Sequence, residues 1–156
     1  MYNRLFSMKA AVTVLATIAL AGCATYPNYT VPADVETTDI TFIDSLSDSR
    51  NQGWMSYQVS VGDERYHEIN DFEDEESAKN IRVYENQVPL NTNVRIRAEY
   101  HIANWRCSVS TLMNFSEPMD YHVYSNGEYA GSCRIGVFRQ VDGEWVLVPS
   151  VDAESE

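Results

Sequence analysis

The chain has 156 residues, 11 of them basic and 23 acidic, for a formal charge of −12. That length suits one domain with a sizeable core, and so acidic a surface repels phosphate backbones and anionic headgroups, which excludes nucleic acid as a partner. It attracts cations or a basic protein, although solubility alone accounts for acidity equally well.

The amino-terminal residues differ from everything after them. Met1–Lys9 carries Arg4 and Lys9 and no acid, and Ala10–Leu20 is uncharged and mostly apolar. The run has the length of a signal-peptide core and is too short to span ~30 Å of hydrocarbon comfortably. Met8-Lys9 followed by the same run is itself a complete signal, so Met1 and Met8 both serve as candidate starts. The run closes with Leu20-Ala21-Gly22-Cys23. These four residues resemble the lipobox of bacterial lipoproteins, in which a branched residue and two small ones precede a cysteine. The resemblance implies a signal peptide over 1–22, cleavage between Gly22 and Cys23, diacylglycerol on the Cys23 thiol and a fatty acyl group, such as palmitate, on the new amino terminus. A plain secretory signal and an uncleaved anchor are the competing readings. Ala24, where an Asp would favour inner-membrane retention in enterobacterial lipoproteins, points to the outer membrane. Loss of 1–22 removes two basic residues and no acid, leaving 9 basic against 23 acidic and a formal −14.

Residues 23–36 read as a lipidated terminus and extended tether: within Ala24–Val35, Pro27 and Pro32 lie among Thr, Tyr and Asn with no apolar period, and that stretch reaches at most ~40 Å at ~3.3 Å per residue. Residues 37–151 then read as one β-rich domain. Asp39–Asp44 is a candidate strand. Met55, Tyr57, Val59 and Val61 alternate with Ser56, Gln58 and Ser60, which predicts a strand with one buried and one wet face. Arg65–Ile69 and Ile81–Glu85 are weaker candidates, and between them Phe72–Asn80 fits a helical turn or a loop. Val94, Ile96, Ala98, Tyr100 and Ile102 alternate with Arg95, Arg97, Glu99 and His101; Cys107, Val109 and Thr111 alternate with Ser108 and Ser110. Asn126-Gly127 predicts a tight turn after Tyr121–Ser125, and Asp142-Gly143 predicts another between Ile135–Val141 and Glu144–Val148. Residues 152–156 are an acidic tail. Seven to nine short strands with turns between them imply an antiparallel β-sandwich, Ig-like or transthyretin-like, with a small β-barrel as the alternative.

Beyond Cys23 only Cys107 and Cys133 remain, and an isolated pair in an oxidising compartment predicts a structural disulfide. The absence of Cys-x-x-Cys argues against a redox pair, and the wide spacing argues against a cysteine metal site. His67, His101 and His122 form no metal-binding motif, and there is no nucleophile elbow, phosphate loop or dinucleotide fingerprint. No catalytic residue, cofactor or metal is assigned. Asp71, Glu73, Asp74, Glu75 and Glu76 form the most unusual local feature, but they lack the interleaved ligands and turn glycine of a calcium loop; a solvated loop, or an acidic patch for a basic partner, is the expectation.

These readings lead to an outer-membrane lipoprotein with a non-enzymatic β-sandwich that binds an envelope component or plays a structural part. A periplasmic inhibitor of a basic lytic enzyme of the lysozyme type is the alternative, resting on charge and size. A small envelope enzyme is the third reading.

Overall fold

The computed structural model describes residues 26–31, 33–45, 53–62, 64–69, 74–76, 81–102, 104–127 and 132–151. Ten strands run along them: β1 Thr37–Ser45, β2 Gly53–Val61, β3 His67–Ile69, β4 Asp74–Glu76, β5 Ile81–Pro89, β6 Asn93–Ile102, β7 Trp105–Asn114, β8 Tyr121–Gly127, β9 Cys133–Val141 and β10 Glu144–Leu147. They form a six-stranded sheet in the order β10-β9-β8-β1-β5-β4 and a four-stranded sheet in the order β3-β2-β6-β7. The two sheets pack as an all-β sandwich; neither closes into a barrel. Pairing is antiparallel except between β1 and β8, where Ile40 lies beside Tyr121 and Asp44 beside Ser125 in parallel. That pair seats β1 in the centre of the larger sheet.

Alternation explains the core. Ile40 and Phe42 on β1, Tyr57 and Val59 on β2, Val94, Ile96, Ala98 and Tyr100 on β6, and Tyr121 and Val123 on β8 point inward and are buried. Each of the larger aliphatic and phenylalanine side chains, once withdrawn from water, contributes roughly 1.5–3 kcal/mol. The Tyr57 hydroxyl crosses the sandwich, donating to the Ile43 carbonyl oxygen at 2.8 Å and hydrogen-bonding the Ser125 hydroxyl. Cys107 of β7 and Cys133 of β9 form a disulfide, with Cα atoms 6.1 Å apart. The bond joins one sheet to the other, as the isolated pair predicts.

The anticipated wet face of β2 is not wet. Ser56, Gln58 and Ser60 are buried on an interior strand, beside the long side chains of Glu99, Arg97 and Arg95 on β6. Gln58 donates to the Glu99 carboxylate at 3.4 Å, and Ser60 donates to the Glu64 carbonyl oxygen at 2.6 Å. Asp142-Gly143 makes the predicted turn, with φ of 51° and 86°, the double positive a type I′ turn requires. Asn126-Gly127 does not turn. Both residues continue β8, opposite Arg134 and Cys133, and the glycine is needed for another reason: the ring of Tyr100 lies against it from the opposite sheet.

Part of the segment expected to be a tether is docked. Glu68 donates its N–H to the Pro27 carbonyl oxygen, and Tyr29 donates its own to Glu68, both at 2.9 Å. Asn28 thereby forms a parallel bridge to Glu68 of β3, and Tyr29 packs half-buried against the core. The 27–29 segment covers the backbone edge that β3 would otherwise expose.

Candidate interaction face

The described residues expected to carry sites are scattered. Gly22, Cys23, Asp71 and Glu73 lie outside the described residues. Asp74, Glu75 and Glu76 are not a helix or loop; they form β4, paired with Val83, Arg82 and Ile81 at the edge of the larger sheet. His67, His101 and His122 sit on β3, β6 and β8, and among the described residues no group of three or more His, Cys, Asp or Glu is placed to hold a metal ion.

The two outer faces of the sandwich differ in chemistry. On the four-stranded sheet, Arg97 pairs with Glu99, donates to the Ser108 hydroxyl at 2.8 Å and lies 5.3 Å from the Tyr66 ring centroid. Arg97 is thus paired within the face. His101 there is held below the usual imidazole pKa by burial and by Arg106, with Glu99 opposing.

The outer face of the six-stranded sheet is assembled from residues that alternate with the core. On β8, Tyr121, Val123 and Ser125 are buried, so His122, Tyr124 and Asn126 point outward. Phe138 lies opposite His122 on β9, and Leu147 lies opposite Phe138 on β10. The result is a continuous aromatic shelf. His122 stacks on Trp145 with centroids 3.8 Å apart and planes at 27°, and Tyr124 meets Phe138 edge-on at 5.6 Å. Tyr124 is 41% exposed, Trp145 40% and Leu147 58%. The shelf dips at Gly136, where a groove of about 390 Å³ is lined by Tyr124, Asn126, Arg134, Phe138 and Leu147. The dip depends on the glycine: a Cβ there would come within 2.9 Å of the Phe138 ring.

Beside the shelf the face turns acidic. A second groove, of about 510 Å³, lies over β5, β1 and the start of β8, lined by Asp39, Glu85, Gln87, Asp120 and His122. Asp39 accepts a hydrogen bond from the Gln87 side chain at 2.9 Å; among the described residues none of the three carboxylates has a salt-bridge partner. His122 stands between acidic groove and shelf. Burial lowers its pKa, and Asp120 opposes that shift.

Sequence reasoning placed the acidic patch at 71–76 and missed this face. Its signal was present: in Trp145–Leu147 apolar residues occupy both phases of the alternation, so one of them has to stay uncovered on an edge strand. The acids Asp39, Glu85 and Asp120 are far apart in sequence and meet only through the β1–β5 and β1–β8 registers. No family model, curated protein or solved structure matches the chain.

Proposed function

We propose that the chain is a lipid-anchored lipoprotein of the bacterial cell envelope, held at the outer membrane, whose sandwich is a non-enzymatic binding module. The observation that carries the reading is the apolar run ending in Leu20-Ala21-Gly22-Cys23, only a few residues before a segment docked on β3. Three acyl chains on Cys23 would make release from the bilayer negligible, whereas a single chain binds only marginally. With 27–29 fixed to the β3 edge, the free leash from Cys23 to the domain is about 14 Å at full extension. The β3 edge therefore stays near the bilayer. β10 is an edge of the other sheet, beside β9, which the disulfide ties to β7 at the end of the four-stranded sheet opposite β3.

The body suits binding better than chemistry, because the space between the sheets is filled by packed side chains and the polar and aromatic groups gather on an outer surface. A second reading, an inhibitor of a basic lytic enzyme, is favoured by the carboxylates of the acidic groove, which would meet a cationic target. The test is Cys23→Ser in the full chain, followed by fractionation. Loss of the protein from the envelope into the soluble fraction supports the reading, and unchanged envelope association overturns it.

A further inference from the structure

We propose that the outer face of the six-stranded sheet, from the acidic groove over β1 and β5 to the aromatic shelf on β8–β10, is a docking surface for a basic segment of a protein partner. This rests on the binding-module reading and gives it a location and a partner chemistry.

The argument begins with what is uncovered. Of the two outer faces, the one on the four-stranded sheet is polar where Arg97 pairs with Glu99 and donates to Ser108. The other leaves Tyr124, Trp145 and Leu147 in water side by side, and contiguous exposed apolar surface with aromatic anchors is what protein interfaces are built from. Charge then selects the occupant. Asp39, Glu85 and Asp120 line the adjoining groove without a salt-bridge partner among the described residues, so a lysine or arginine entering it would gain a charge-assisted contact. Trp145 and Tyr124 offer ring faces to a neighbouring cation. A second copy of this chain would bring the same carboxylates and the same formal charge of −12, and repulsion disfavours it. The acidic residues 152–156 of the chain itself are disfavoured for the same reason.

Spacing fits as well. The dip at Gly136 lies level with Ile43 of β1 and the acids lie level with Asp39 to Thr41, so the two are separated by roughly 15 Å, about two strand spacings across and two to four residues along. That is about four residues of extended chain, a step that keeps both side chains on one face. An apolar side chain resting between Tyr124, Phe138 and Leu147 thus places a basic one, a short distance along the same segment, over the acids.

The test titrates a Leu-Ser-Leu-Ser-Lys-Ser-Lys peptide into the detergent-solubilised full chain, with the counterpart bearing Glu in place of Lys and chitotetraose as parallel probes. Three variants are compared: Asp39→Asn/Glu85→Gln/Asp120→Asn, a charge-matched control Glu36→Gln/Glu64→Gln/Glu68→Gln away from the face, and Trp145→Ala/Leu147→Ser. Circular dichroism first establishes that each retains the β fold. The proposal expects salt-sensitive binding of the lysine peptide alone, weakened about tenfold or more by the groove and shelf variants and less than about twofold by the control. Equal weakening by the two charge variants would reduce the effect to diffuse acidity and overturn it. So would indifference to the shelf variant, or binding of chitotetraose in place of the peptide. None of these outcomes touches the fractionation of Cys23→Ser, so failure here leaves the anchored-module reading separately decided.

Discussion

The ring of Tyr100 lies flat against the bare backbone of Gly127, so closely that a Cβ on residue 127 would sit 2.8 Å from the Tyr100 Cγ. Both residues adjoin the inter-sheet bond: Tyr100 pairs with Cys107 across β6 and β7, and Gly127 pairs with Cys133 across β8 and β9. Ring, glycine and disulfide form one tie between the sheets. Gly127→Ala should lower stability by about 1–3 kcal/mol through overpacking, read as a reduced urea midpoint with an unchanged m-value. Tyr100→Leu in the same chain should recover part of that loss.

Removing the covalent part of the tie has a different signature. Cys107→Ala/Cys133→Ala frees a loop with a sequence separation of 26 and should cost about 3 kcal/mol, chiefly through the entropy of the unfolded chain. Oxidised wild-type protein and the variant should therefore differ by that amount in denaturant unfolding. Reduced wild-type protein should unfold like the variant.

The Tyr57 hydroxyl serves the β1 backbone and Ser125 of β8 at once. Tyr57→Phe keeps the ring packed against Phe42 and Tyr84 but leaves the Ile43 carbonyl and the Ser125 hydroxyl short of a partner, at a cost of about 1–3 kcal/mol. A double-mutant cycle with Ser125→Ala should show coupling, since the two hydroxyls share a hydrogen bond that either substitution removes.

The His122 imidazole, buried against Trp145 and opposed only by Asp120, titrates below its ordinary 6.5 in the folded protein. The unfolded chain then takes up its proton at higher pH than the folded one. The contribution is fully present above pH 6.5 and is lost as pH falls from there through the folded-state value. His122→Gln should flatten the fall in stability between pH 7.5 and 5.5, and an NMR titration of the imidazole should give a midpoint under 6.5.

The strands of the core were legible because alternation is a local signal: β2, β6 and β7 were visible in the spacing of Met55–Val61, Val94–Ile102 and Cys107–Thr111. So was the Asp142-Gly143 turn, whose two residues alone decide its φ angles. Asn126-Gly127 offered the same dipeptide and misled, since its glycine answers to Tyr100 on another sheet and not to a turn. The depth of Gln58 and the docking of Pro27–Tyr29 on Glu68 were hidden for a similar reason, each depending on side chains or backbone brought in by tertiary packing. The interaction face was the least legible feature. Its acids come from β1, β5 and the residue before β8, and only the parallel pairing of β1 with β8 sets them side by side.

The most direct measurement of the central claim is the intact mass of the detergent-extracted protein. A chain beginning at Cys23 and carrying diacylglyceryl plus amide-linked acyl mass is the predicted result. A chain bearing residues before Cys23, or one starting there with no added acyl mass, contradicts it.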